Sequence, residues 1–251
     1  MVGNTDGTTD PKVKAGLLQV RDGTAYFLRT LGQLADDEFQ SPSLLPGWSR
    51  SHLIAHVGYN ARAIIRLAGW AQTGLEQPMY PSTQARRSEI EQGATLSPTE
   101  LRQLAMDTAA QLDQRWRGLT DVAWHAEIRT SQGRVVPASA TLWMRTREVW
   151  LHAVDLDNGG SFTHFPGELI DHLLADVLSN WRRRRDSEDI PNFVLAPTDR
   201  DRIRSVGDPE SNDAVVLHGT AVALARWATG RGHSDVVTTD GSAAPAAPQW
   251  L

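Results

Sequence analysis

Apolar residues recur at helical spacing in four stretches of the first 160 residues. Thr9-Asp10-Pro11 supplies a cap and a first-turn proline, and Val13, Leu17, Leu18, Tyr26, Leu28 and Leu31 follow, which predicts a long first helix. After the turn-rich Ser41-Pro42-Ser43-Leu44-Leu45-Pro46-Gly47, a second helix is predicted from about Ser49 to Thr73. It carries Leu53, Ile54, Val57, Ile64 and Ile65, and Gly74 is placed to end it. Ser97-Pro98-Thr99-Glu100 is a capping box with proline at the first helical position, opening a third helix through Leu101, Leu104, Leu112 and Trp116. Ser139 is placed to cap a fourth, through Leu142, Val149, Trp150, Ala153, Val154 and Leu156, stopped by Asp157-Asn158-Gly159-Gly160. Between the third and fourth, Glu127 to Val136 reads as a short hairpin turning at Ser131-Gln132-Gly133. Each helix has one apolar face to bury, so a four-helix bundle is expected over residues 1–160.

Past Gly160 the pattern changes. A helix is predicted from about Gly167 to Arg183, then β-type runs at Phe193-Val194-Leu195 and Ala214-Val215-Val216-Leu217, then a helix from about Thr220 to Thr229. Residues 161–251 therefore read as a small α+β domain, and the chain as an α+β protein. The Ala- and Pro-rich tail from Ser242 to Gln249 is expected to lie extended on the surface, with Trp250-Leu251 as an anchor.

Composition narrows the function. With 25 basic against 30 acidic residues the net charge is −5, which gives no electrostatic case for a nucleic-acid partner. No run approaches the roughly 20 apolar residues of a membrane helix, and the polar stretch from Met1 to Lys14 is unlike a signal peptide. A soluble, cytoplasmic protein with no membrane partner is expected. The chain has no cysteine, which excludes disulfides, thiolate metal sites, iron–sulfur clusters and a cysteine nucleophile. Any thiol chemistry must use a thiol from outside. Lys12 and Lys14 are the only lysines, so Schiff-base chemistry has little to work with, whereas arginines suited to gripping carboxylates are plentiful. The run Arg182-Arg183-Arg184-Arg185 reads as a solvated helix end complementing the helix dipole, and Trp143 and Trp150 read as core residues.

Candidate chemistry sits on two helices. His52 and His56 on the second, and Glu148 and His152 on the fourth, are each spaced i,i+4, which places both members of a pair on one face. On the fourth helix that face continues as Arg145, Glu148, His152 and Asp155. Two imidazoles and a carboxylate brought together from two helices give three protein ligands with a fourth position open, the pattern of a catalytic zinc site. His56, Glu148 and His152 are the favoured set, with His52 an equivalent ligand by spacing. Weak surface pairing is the competing reading of both pairs. Asp155 is a candidate to orient an imidazole or a solvated helix-end carboxylate, and Asn60, one turn beyond His56, is equally open.

Two of these segments carry a resemblance. Gly47-Trp48-Ser49-Arg50-Ser51-His52-Leu53-Ile54-Ala55-His56-Val57 and Leu142-Trp143-Met144-Arg145-Thr146-Arg147-Glu148-Val149-Trp150-Leu151-His152-Ala153-Val154-Asp155 resemble the mycothiol-dependent maleylpyruvate isomerases. The likeness extends through Ala228-Thr229-Gly230-Arg231-Gly232 to Pro248-Gln249-Trp250-Leu251, nearly the whole chain. It implies a DinB-like metal-binding four-helix bundle followed by a small domain similar to sterol carrier proteins that contributes to the active site. It further implies a zinc ion on His56, Glu148 and His152, where the wider bundle superfamily more often offers three histidines.

The implied reaction converts cis maleylpyruvate, a small dicarboxylate, to trans fumarylpyruvate in the gentisate pathway of aromatic breakdown. Rotation needs a temporary single bond, which addition of a thiolate supplies. With no cysteine in the chain, mycothiol at the open zinc position fits the requirement, and coordination deprotonates a thiol that otherwise titrates near pH 8.5. Arg231, flanked by glycines inside the resembling C-terminal stretch, is the first choice to bind the developing anion. Its alternative is an arginine meeting the last carbonyls of a helix. Arg86, in the Gln84-Ala85-Arg86-Arg87 loop, is the weaker candidate for gripping cofactor or substrate. The rival functions are a mycothiol S-transferase acting on another electrophile and a metal-stabilised ligand-binding protein without turnover.

Overall fold

The computed structural model describes residues 5–185 and 187–250, so Leu251 of the expected anchor lies outside the described residues. The chain forms two compact units, 1–160 and 161–251. Among the described residues no helix is long and apolar enough to cross a membrane.

The first unit is built on α1 (Pro11–Gly32), α2 (Arg50–Thr73), α4 (Pro98–Arg117) and α6 (Ala140–Asp155), the four helices expected from apolar spacing. Between them lie α3 (Thr83–Gly93), α5 (Asp121–His125) and a hairpin of β1 (Glu127–Arg129) and β2 (Val135–Pro137). Helix α2 packs chiefly on α4, and α1 on α6. Leu17, Val20, Ile64, Leu67, Leu112, Trp116, Trp124 and Leu142 fill the space between them, and Ile128 of the hairpin joins the same core.

The helix starts follow the sequence chemistry at most positions. Asp10 accepts from the backbone of Lys12 and Val13, and Ser97 and Glu100 complete the expected capping box. Gly74 ends α2 at φ 75°, a left-handed backbone that suits glycine. Asp121 ties the start of α1 to α5 by accepting from the backbone N–H of Thr9 at 2.9 Å and from the hydroxyls of Thr8 and Thr9.

Several local expectations need correction. Ser139 makes no side-chain cap, because its own backbone is already helical. Leu18 faces solvent at 62% exposure, and Trp143 is only half-buried, whereas Trp150 is in the core and stacks on Tyr26 with ring centroids 4.8 Å apart. The segment expected as a loop around Arg86 is helix α3. Ser82 caps it by accepting from the Ala85 N–H, and only Ile90 and Gly93 are buried, so it has almost no apolar stripe to signal a helix.

The second unit opens with α7 (Gly167–Arg184) and carries β3 (Phe193–Pro197), β4 (Arg204–Val206), β5 (Val215–Gly219), α8 (Ala221–Ala228) and β6 (Val237–Thr238). Strand order is β4-β3-β5-β6, with β3 and β5 parallel and both outer pairs antiparallel. Helices α7 and α8 pack together over a cluster of the Trp181, Phe193 and Trp227 rings. The arginine run is occupied structurally: Arg182 donates to the Ser205 carbonyl, Arg185 to Asn192, and Arg184 to Glu188 and the Gln249 carbonyl. With Trp227 Nε1 donating to the Pro245 carbonyl at 2.7 Å and Trp250 buried, the tail is fastened onto this unit.

Gly23 on α1 makes room for Trp150: a Cβ there would lie 2.4 Å from the indole Nε1. Gly23→Ala should therefore destabilise the protein by about 1–3 kcal/mol, although alanine is the better helix former by about 1 kcal/mol. An unchanged or raised denaturation midpoint would contradict this packing.

Candidate metal centre

The first turn of α2 separates its two histidines. His52 is spent on the helix start, where its backbone N–H donates to Ser49 Oγ and the Ser49 N–H points to its Nδ1 at 3.3 Å. Its Nε2 faces Glu91 at 3.4 Å. One turn on, His56 is buried and points at α6, where its Nε2 lies 3.1 Å from Glu148 Oε2. The same carboxylate oxygen lies 3.1 Å from His152 Nε2. The structure thus brings together His56, Glu148 and His152, with one ligand atom from each and all three within 4.8 Å of one another. Asp155 is fully buried rather than solvated, and its Oδ2 accepts from His152 Nδ1 at 2.9 Å.

Further side chains surround the cluster. Trp48 meets the His56 ring edge-on at 5.3 Å between centroids, and Arg86 of α3 brings Nη2 to 3.4 Å from His56 Nδ1. Arg145, 2% exposed, donates from Nη1 to the Val57 carbonyl and to Asn60 Oδ1, both at 2.8 Å. Asn60 therefore serves the α2–α6 contact. Arg50, the first residue of α2, donates to the Leu156 carbonyl from Nε and to the Asp157 carbonyl from Nη2, each at 2.7 Å, satisfying groups that the end of α6 leaves open. Arg231 belongs to the second unit, just past α8, where its Nη1 donates to the Thr229 carbonyl at 2.9 Å and Gly230 adopts φ 75°. That is the helix-end arrangement named above as its alternative.

The titration of the cluster follows from its neighbours. Burial acts to raise Glu148, but hydrogen bonds from His152 and His56 hold it well below the ordinary carboxylate range. Burial acts to lower His152, and the bonds to Asp155 and Glu148 overcome it, pushing the imidazole up to about 9. His56 goes down, because burial outweighs its contact with Glu148. Burial also brings Arg145 down to about 10, against the pull of the Glu148 charge, so it remains cationic at neutral pH. The metal-free cluster is a carboxylate holding one proton on His152 beside a neutral His56.

These groups fit a divalent cation. Two atoms each about 2.1 Å from a tetrahedral ion are roughly 3.4 Å apart, close to the 3.1 Å edges on Glu148. The Asp155 bond fixes His152 with its proton on Nδ1 when the ring is neutral, which leaves Nε2 free as a ligand. Trp48 and Tyr80, which also borders the cluster through Arg86, have no helical period in the sequence to mark them. Trp48 had a signal in the segment Gly47-Trp48-Ser49, while Tyr80 lies in a stretch with no periodicity.

Two imidazoles and a carboxylate brought together between two helices of a bundle are a set of groups that could hold a metal ion. The family profile described as "Mycothiol maleylpyruvate isomerase N-terminal domain" matches residues 20–157, and "MDMPI C-terminal domain" matches residues 164–248. The chain belongs to the mycothiol maleylpyruvate isomerase family. Among solved structures, the mycothiol-dependent maleylpyruvate isomerase is 41% identical, with a TM-score of 0.88 over 95% of this chain and 97% of that one. A variant of that isomerase with one histidine replaced by alanine is 40% identical over the same shares, also at 0.88. YfiT from Bacillus subtilis, with an unusual four-helix bundle topology, is 12% identical over 59% of this chain and 86% of that one, at 0.51, a likeness of fold alone. No curated protein sequence matched the chain.

Two outcomes test the centre. His56→Ala, Glu148→Gln and His152→Ala should each lose stoichiometric zinc, while His52→Ala keeps it, and Asp155→Asn should weaken affinity by about 10–100-fold. Retention of zinc by the Glu148 variant, measured by chelator competition, would remove it from the ligand set. The second outcome follows from the His152 pKa, raised from the ordinary 6.5 to about 9. The stability this gives the metal-free protein is fully present below pH 6.5 and is lost as pH rises through 9. Between those values, zinc binding at Nε2 should release about one proton, read by calorimetry in buffers of different ionisation enthalpy. Zero release at pH 7.5 would contradict it.

Proposed function

We propose that this chain is a mycothiol-dependent isomerase that converts maleylpyruvate to fumarylpyruvate in the cytoplasm, on the gentisate route of aromatic breakdown. The observation that carries the reading is the His56, Glu148 and His152 cluster, His56 buried and the other two half-buried, in a chain that resembles such an isomerase over 95% of its length. His56, Glu148 and His152 are assigned to hold a zinc ion. When bound there, zinc supplies a Lewis acid that keeps a coordinated thiol deprotonated near neutral pH. The absence of cysteine makes the external thiol a requirement for addition to the double bond.

The chain's own residues then have distinct tasks. Asp155 fixes the His152 ring, and Arg145 holds α6 against α2 through the Val57 carbonyl and Asn60. Arg86, on α3 beside His56, is assigned to grip mycothiol. Arg231 is assigned to the substrate's carboxylates. A guanidinium is suited to that task because it meets a carboxylate through two parallel hydrogen bonds.

The test combines purified zinc-loaded protein with maleylpyruvate, with and without mycothiol, following the trans isomer and free thiol together. Turnover should require mycothiol and leave its concentration unchanged. Stoichiometric loss of thiol would move the assignment to an S-transferase, and no turnover by protein with confirmed zinc would reject this substrate. Arg231→Ala should lower kcat by about 10²–10³-fold, and wild-type kcat in that variant would remove Arg231 from the catalytic set.

A further inference from the structure

We infer that an open cavity walled by the loop from Gln40 to Ser49 is the docking subsite for the sugar portion of mycothiol, beside the metal centre that takes its sulfur. The inference rests on the isomerase reading above and deepens it.

The loop leads into α2 and is held in one shape. Pro42 bridges Ser49 in antiparallel fashion, and the Arg50 N–H donates to the Ser41 carbonyl at 2.9 Å. Within it the Ser43 N–H and hydroxyl both donate to the Trp48 carbonyl at 2.9 Å, and the Trp48 N–H donates to the Leu45 carbonyl at 3.1 Å. Gly47 turns the chain at φ 78°. The Leu44 N–H donates to the Asp155 carbonyl at 2.9 Å, which fastens the loop to the residue that orients His152. Little ordering entropy is left to lose when a ligand docks on such a loop.

The cavity measures about 400 Å³, a volume within the range of small-molecule sites. Trp48 lines it and also meets the His56 ring at 5.3 Å between centroids. One side chain therefore joins the cavity to a ligand of the metal centre. A depression of similar size lies between α2 and α4, but its nearest α2 residue, Ile65, is about 14 Å along the helix from His56.

The lining selects the occupant. Leu44, Leu45, Pro46 and Trp48 offer apolar surface, Gln40 and Ser43 offer polar groups, and no charged side chain lines the cavity among the described residues. A small dicarboxylate finds no guanidinium to meet it there. A neutral polyol fits, since a sugar ring lays its C–H faces on indole and leucine and turns its hydroxyls to amide and hydroxyl groups. Mycothiol is such a ligand: its thiol is on an N-acetylcysteinyl group, whose amide joins a glucosamine that carries an inositol. Five bonds separate the sulfur from the first sugar carbon, about 6 Å, which matches a cavity one side chain away from His56. Arg86, 3.4 Å from His56 Nδ1, remains for the cysteinyl end.

Calorimetric titration of the full-length zinc-loaded protein compares mycothiol with N-acetylcysteine, which keeps the thiol and lacks both sugars. Mycothiol should bind at least about tenfold more tightly. Leu44→Glu puts a charge into the cavity from an exposed position, and Trp48→Leu removes the ring. Each should cut the advantage of mycothiol to about threefold or less, and Leu44→Glu should leave the affinity for N-acetylcysteine unchanged. A full advantage retained in Leu44→Glu would overturn the assignment, as would an equal loss for both thiols in that variant. A parent protein that binds N-acetylcysteine as tightly as mycothiol would overturn the subsite alone. A zinc-loaded parent that binds neither thiol would overturn the mycothiol reading and the subsite with it.

Discussion

The register of α2 against α6 is the constraint on which the first unit's chemistry depends, and two buried guanidiniums set it. Arg145 reaches from α6 to the Val57 carbonyl, the residue next to His56. Arg50 reaches the other way, from the start of α2 to the carbonyls at the end of α6. The Leu44 N–H adds a third tie, donating to the Asp155 carbonyl at 2.9 Å. A slide of one residue along either helix turns its side chains by about 100°. That would part His56 from Glu148 and leave buried carbonyls and guanidiniums unpaired together, each at a cost of about 1–3 kcal/mol or more. The polar cross-links therefore specify one alignment where apolar packing alone would tolerate neighbours of it.

The same contacts balance charge in a place where charge is expensive. Glu148 and Asp155 are two acidic groups about two turns apart on α6, Asp155 fully buried and Glu148 half-buried. Their partners are the imidazoles and the nearby Arg145, with Arg86 approaching from α3. His152 pairs with both carboxylates and Glu148 with both imidazoles, so the arrangement works as a network whose members depend on one another. This explains why adjacent imidazoles move in opposite directions. His152 has two acidic oxygens at hand, whereas His56 has one carboxylate and a guanidinium.

Legibility from sequence followed periodicity. The long helices were readable because residues such as Leu101, Leu104, Leu112 and Trp116 repeat on a buried stripe and because Ser97-Pro98-Thr99-Glu100 marks a start chemically. Helix α3 was not, since it covers α2 with few apolar residues and owes its start to Ser82. The pairing of Glu148 with His152 was visible as an i,i+4 spacing. The choice between His52 and His56 was not, because that spacing puts both on one face. The Ser49 cap and Glu91 engage the first and leave the second to α6. Tyr80 and Trp48 sit in irregular segments, where position is decided by tertiary ties such as Arg66 to Met79 and carries no sequence period.

His56 and Glu148 are 92 residues apart in sequence. In an unfolded chain, closing a loop of that length costs on the order of 4 kcal/mol in chain entropy, so the full ligand set exists only in the folded bundle. An ion held there binds the native state almost exclusively, and its binding free energy adds to folding stability by mass action. Supply of the metal would thus govern how long the protein survives as well as how much of it is competent. A cell short of the ion would turn the chain over faster, and the protein's abundance would report on metal availability.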